Sequence, residues 1–178
     1  GTAHYAGLVS KYWFGRIARL PADVEIASEW RYREPALAPG GVAVFVSQSG
    51  ETADTLAAMR HARAAGQTTL AIVNVETSTM AREADVVLPI LAGPEIGVAS
   101  TKAFTAQLIA LLSTALLAAR ARGALDAQCE AAHAAMLADL PGVMREAIAR
   151  EEALAALATE IADSRDALFL GRGPMYPL

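Results

Sequence analysis

Apolar positions along this 178-residue chain fall into short dense runs separated by longer stretches of helical spacing. Residues 5–20 keep a helical period, and Pro21 marks its stop. Residues 23–27, Asp-Val-Glu-Ile-Ala, alternate polar and apolar as a strand does. Residues 31–41 are charged and then rich in Pro and Gly, which predicts a loop. Residues 42–47, Val-Ala-Val-Phe-Val-Ser, form a continuous run, the pattern of a strand buried on both faces. A helix over 52–65 follows, closed by Gly66. Residues 69–73 make the next strand, with Asn74 at its end, and 79–83 one short helical turn. A third strand spans 85–90, where Pro89 marks an edge or a strand end. The long helix runs over 100–122 and stops at Gly123. Residues 126–140 and 143–163 are helical, and 167–170 form a last strand.

Strands separated by helices imply βαβ units and a parallel sheet, hence an α/β fold of three layers, α/β/α. In such sheets ligands bind beyond the carboxyl ends of the strands. The loops that follow Ser47, Asn74, Ile90 and Leu170 are therefore the candidate site. The stretch 103–119 carries no charge and invites a membrane reading. It is shorter than the roughly 20 apolar residues a span requires, and Thr105, Gln107, Ser113 and Thr114 interrupt it. A core helix covered on most sides is the better expectation.

Composition narrows the class. Apolar residues make up 54% and charged ones 19%, which excludes a disordered chain. Alanine, about a quarter of the chain, favours helices. A net charge of −4 argues against nucleic acid or an anionic membrane as the main partner. Cys129 is alone, so no internal disulfide or CxxC site exists, and in its helical setting it reads as a packed thiol. His4, His61 and His133 lie far apart without metal-ligand spacing. The expectation is a cytoplasmic protein without metal or cofactor. The chain opens on Gly1 without Met and closes just after an apolar run, as a piece of a longer protein does.

Two loops carry candidate chemistry. The first, Ser47-Gln48-Ser49-Gly50-Glu51-Thr52, packs three hydroxyls, an amide and a glycine between a buried strand and a helix start. Unpaired N–H groups and the helix dipole would receive a phosphate monoester there without any lysine. Gly50 would let the backbone approach it closely. A plain N-cap with a tight turn fits the same residues. The second loop runs from Leu91 to Lys102, with Ser100 as N-cap of the long helix. Lys102 sits in the first turn against the dipole, held by Glu95 or a ligand phosphate, or simply solvated. Gly171-Arg172-Gly173 has the look of a ligand loop but is too short to be specific.

The first loop, continued by Ala53-Asp54-Thr55-Leu56, resembles the signature of sugar isomerase (SIS) domains. Residues 93–105, Gly-Pro-Glu-Ile-Gly-Val-Ala-Ser-Thr-Lys-Ala-Phe-Thr, together with 23–33 and 168–173, narrow this. They look like the glutamine–fructose-6-phosphate aminotransferase (isomerizing) family, the glucosamine-6-phosphate synthases. That family joins a glutaminase domain to an isomerase domain of two SIS modules with a flavodoxin-like fold.

The resemblance implies that residues 1–165 are the first module, lacking its first strand. Residues 166–178 would then be the opening strand and loop of the second. It implies sugar-phosphate binding by Thr2, Ser47, Gln48, Ser49, Thr52, Val98, Ala99 and Ser100, with no catalytic residue in this stretch. The acid–base groups of the family lie in the second module. Ala3 stands where many relatives carry a hydroxyl. The ligand would be fructose 6-phosphate, glucose 6-phosphate or glucosamine 6-phosphate, and the assembly a homodimer. Another SIS isomerase or deaminase, or a non-catalytic sugar-phosphate sensor, is the alternative.

Overall fold

Three strands, β1 (Val42–Ser47), β2 (Thr68–Val73) and β3 (Val86–Pro89), pair in parallel in the order β1-β2-β3. The computed structural model describes residues 1–33, 35–96 and 100–178. Helix α1 (Thr2–Trp13) runs on into a π-helical turn, Phe14–Ala18, and a short α2 (Ala27–Trp30) precedes β1. Helix α3 (Ala53–Ala64) joins β1 to β2, and α4 (Thr79–Glu83) joins β2 to β3. Then come α5 (Lys102–Ala121), α6 (Ala127–Ile148), α7 (Glu151–Ile161) and a 3₁₀ turn, Gly173–Met175.

The period of two along each strand builds the layers. Even-numbered Val44, Val46, Leu70, Ile72 and Leu88 pack with Ala6 of α1 and Ala110 and Leu111 of α5. Odd-numbered Phe45, Ala71, Val73 and Val87 pack with Leu56 and Met59 of α3 and Met80 of α4. Helices α1 and α5 therefore cover one face and α3 and α4 the other, and the α/β/α sandwich expected from the sequence is the observed architecture. Strand β2, paired on both sides, is the buried centre. Strand β1 is half-buried rather than buried on both faces, because it is an edge with Val42 64% exposed. Pro89 stands on the opposite edge, where its missing N–H costs no ladder bond.

Polar clamps fix β3 at the end away from the loops of interest. Asp85 Oδ2 accepts from the Thr69 N–H (2.9 Å) and hydroxyl (2.7 Å), and the Asp85 N–H donates to Thr69 Oγ1 (3.0 Å). These bonds hold the Asp85 carboxyl below the usual carboxylate range. Arg60 grips Glu83 with two bonds of 2.7 and 2.6 Å, tying α3 to α4.

Several expectations are corrected. Residues 23–27 form no strand. Val24 is half-buried against α1, where Gly7 leaves room for its side chain, but Ile26, the other apolar position, is exposed, so the alternation does not sort an inner from an outer face. The break expected between 140 and 143 is absent: α6 continues through Pro141 to Ile148, and the chain turns at 149–150. Helix formers on both sides carry the helix past the proline, which can kink a helix without ending it. Residues 167–170 lie exposed without a ladder, because no strand runs beside them among the described residues. Helix α5 is long and apolar enough to cross a membrane, yet it packs on the sheet. It buries one face, Ala103, Gln107, Ala110, Leu111, Ala115 and Ala119, and is not covered on most sides.

Candidate functional site

The β1–α3 turn is built from its own hydroxyls. Ser47, the buried last residue of β1, accepts the Gly50 N–H on its Oγ at 2.9 Å. Ser49 Oγ accepts the Glu51 N–H at 3.2 Å. Gly50 has a positive φ of 66°, and a side chain there would strike Ser78, whose Oγ lies 2.2 Å from an ideal Cβ position. Packing against Ser78, the N-cap of α4, therefore requires the glycine. The Gly50 carbonyl accepts from Met80 N–H (3.1 Å) and that of Gln48 from Asn74 N–H (3.2 Å), so the turn rests on α4 and on the end of β2.

The helix start is left open. Thr52 occupies the N-cap position but makes no capping bond. The first bond to its carbonyl comes from Leu56 N–H, so the N–H groups of residues 53–55 precede the helical ladder. Both acids of this region are engaged elsewhere. Glu51 Oε1 accepts the Thr79 N–H at 2.7 Å, which holds its carboxyl below the usual range. Asp54 pairs with Arg31 of the segment after α2 at 2.6 Å. Hydroxyls of Ser49 and Thr52 and free N–H groups thus meet the helix dipole without a carboxylate turned against an anion.

The β3–α5 loop begins beside the end of β2. Leu91 and Gly93 both have positive φ, 52° and 69°, and between them the chain folds back toward β2. There Asn74 Oδ1 accepts the Ala92 N–H (2.9 Å) and Nδ2 donates to the Gly93 carbonyl (2.7 Å). Glu95 caps α5, accepting the Ala103 N–H at 3.0 Å and the Thr101 hydroxyl at 3.1 Å. The Ala103 bond is the main reason its carboxyl stays ionised below the usual glutamate range, with Lys102 a minor contributor. Ser100 is therefore not the N-cap. Thr101 takes that position, Glu95 supplies the carboxylate, and Lys102 forms no ion pair among the described residues. Ser100 Oγ is instead buried without a hydrogen-bond partner among the described residues.

Ser47, Gln48, Ser49 and Thr52 thus share one turn, and Asn74 links that turn to the loop that carries Ser100. Thr2 begins α1 and is half-buried. Val98 and Ala99 lie outside the described residues. Gly171 and Arg172 are exposed, and Gly173 opens the 3₁₀ turn. Cys129 is exposed at the start of α6 rather than packed, because that helix buries no residue. Asp126 beside it pushes the thiol up, against thiolate chemistry. His61 meets the edge of Trp30 at the surface. His4 lines a cavity of about 560 Å³ with Tyr5, Leu8, Ile26 and Tyr176. Sequence reading passed over the bridging role of Asn74 and the wedge made by Ser78. A polar residue ending an otherwise apolar strand was the available signal for Asn74.

Comparison with known proteins bears on this geometry. The SIS domain family matches residues 1–117. The whole chain is 58% identical to the glutamine–fructose-6-phosphate aminotransferase [isomerizing] of Bradyrhizobium diazoefficiens, and spans 29% of that protein's length. It is 56% identical to the same-named protein of Zymomonas mobilis, again spanning 29% of it. Among solved structures, the C-terminal domain of glucosamine-fructose-6-phosphate aminotransferase from Francisella tularensis superposes with a TM-score of 0.96 at 39% identity. That match covers 99% of this chain and 50% of the other. A glucosamine-6-phosphate deaminase from Thermotoga maritima gives 0.62 at 27% identity, over 67% of this chain and 37% of the other.

Proposed function

Because the chain belongs to the SIS domain family, we propose that its β1–α3 turn holds the phosphate of a sugar phosphate within a glutamine–fructose-6-phosphate aminotransferase. The whole protein would move the glutamine amide nitrogen onto fructose 6-phosphate and isomerise the product to glucosamine 6-phosphate. One observation carries the reading: Ser49 and Thr52 present hydroxyls at an uncapped helix start whose two neighbouring acids are tied to Thr79 and Arg31. The buried hydroxyl of Ser100, without a hydrogen-bond partner among the described residues, supports it as a group placed for a ligand. Thr2, Val98 and Ala99 complete the proposed contacts by resemblance. The far higher likeness to the Francisella domain than to the Thermotoga deaminase favours this reading over a deaminase.

In the same reading residues 166–178 open a second module, the assembly is a cytoplasmic homodimer, and the chemistry resides outside these 178 residues. The chain alone should therefore make no glucosamine 6-phosphate above a no-protein blank, from fructose 6-phosphate and either glutamine or ammonia. The binding test is calorimetric titration with fructose 6-phosphate. A hydrogen bond to a charged group contributes about 1.5–3 kcal/mol, so Ser49→Ala or Thr52→Ala should weaken binding roughly ten- to a hundredfold. Ser113→Ala, which removes a hydroxyl from α5, should leave affinity unchanged. Equal affinity in all three variants would reduce the turn to a structural one.

A further inference from the structure

We propose that Asn74 is a positioning residue that sets the two loops of the sugar-phosphate site against each other. The inference rests on the binding reading above and deepens it. Asn74 directly follows the central strand, and its backbone and side chain bond to different loops. Its N–H donates to the Gln48 carbonyl within the β1–α3 turn. Its side chain closes a two-bond clamp on Ala92 N–H and the Gly93 carbonyl at the start of the β3–α5 loop. One residue thus joins the turn that carries Ser49 and Thr52 to the loop that carries Ser100.

The chemistry of the clamp selects the side chain. It needs one acceptor and one donor on a short planar group, facing a peptide N–H and a peptide carbonyl of consecutive residues. Aspartate keeps the Ala92 bond but sets a carboxylate against the Gly93 carbonyl. Alanine loses both bonds. The clamp grips the Ala92 N–H and the Gly93 carbonyl where Leu91 and Gly93 both have positive φ, and so ties this reversal to the end of β2. The Glu95 cap on Thr101 and Ala103 fixes the other end of the loop. The loop is thus tied to the end of β2 at Ala92 and Gly93 and to the start of α5 at Glu95, and the end nearer the phosphate turn is the one Asn74 holds.

The test compares Asn74→Ala and the isosteric Asn74→Asp with the parent chain by fructose 6-phosphate titration, thermal melting and amide hydrogen exchange. The expected result is affinity about tenfold weaker in both variants, with melting shifted by less than about 4 °C. Exchange should quicken over residues 91–96 in Asn74→Ala and stay unchanged over 68–73. Parent-like affinity in both variants would overturn the proposal. A parent chain that binds no sugar phosphate would overturn the binding reading by itself. Exchange then decides the clamp: quickening confined to 91–96 supports it, and parent-like exchange there rejects it.

Discussion

Residues 1–123 and residues 124–178 are built from similar material and end in opposite states. Both are rich in alanine and both are mainly helical outside the sheet. In the first part every helix but the short α2 sends side chains into a core on one face of the sheet or the other, and the whole buried apolar core lies there. In the second, α6 and α7 bury no residue, although Val143, Ile148, Leu154, Leu157 and Ile161 are apolar. Helix formation and core formation are separate events here. Alanine and its helix-favouring neighbours suffice for the first, whereas the second needs a facing surface, which the sheet supplies only to residues before Gly123.

The sharpest way to break this contrast is in the core. Met59→Ala, at a side chain fully enclosed between α3 and the sheet, should cost about 2–5 kcal/mol in urea unfolding. Gly50→Ala comes next. It forces a side chain into Ser78 at a left-handed backbone position, for a loss of order 1–3 kcal/mol. Adding Ser78→Gly should recover only part, since the positive φ remains.

Acid supplies a gentler probe. Glu51, Glu83, Asp85 and Glu95 all have lowered carboxyls in the first part, against Asp126 alone in the second. A depressed folded pKa means stability that is present above the unfolded value, about 4.3 for glutamate, and lost as pH falls through the lower folded value. The Ala103 amide resonance should follow Glu95 and titrate below that ordinary value, and Glu95→Gln should abolish the titration. The smallest effect belongs to the second part. Leu157→Ala on α7 should change unfolding by no more than about 0.5 kcal/mol; a core-sized loss would show that α7 shares the first part's cooperativity.

The same division decides what could be read in advance. Strands β1 and β2 were legible as dense apolar runs and α3 by its helical spacing and the stop at Gly66. The alternation at 23–27 misled because only Val24 turns inward, against α1, while Ile26 stays exposed. Pro141 misled because a proline's local cost does not outweigh the helix formers on both sides. In the site, the hydroxyl-rich turn was visible from residue types. That both neighbouring acids are turned away from it was not, since that depends on Glu51 reaching Thr79 and Asp54 reaching Arg31, 28 and 23 residues away. Glu95 as the cap of α5 was hidden for the same reason: it lies eight residues before the N–H it accepts.

The Thr69–Asp85 clamp has one more consequence. The strand it borders, Val-Val-Leu-Pro, is apolar at every position, and both faces of the sheet are apolar. Sliding such a strand by one residue would exchange one greasy side chain for another, so water offers little objection to the wrong pairing. The objection comes from the three bonds at its entrance. A slipped strand would leave the Asp85 carboxylate and the buried Thr69 hydroxyl without each other, a penalty that apolar residues cannot impose. One polar pair at the far end of the sheet thereby rejects the near-miss alternatives and determines where the chain leaves β3 toward Ser100.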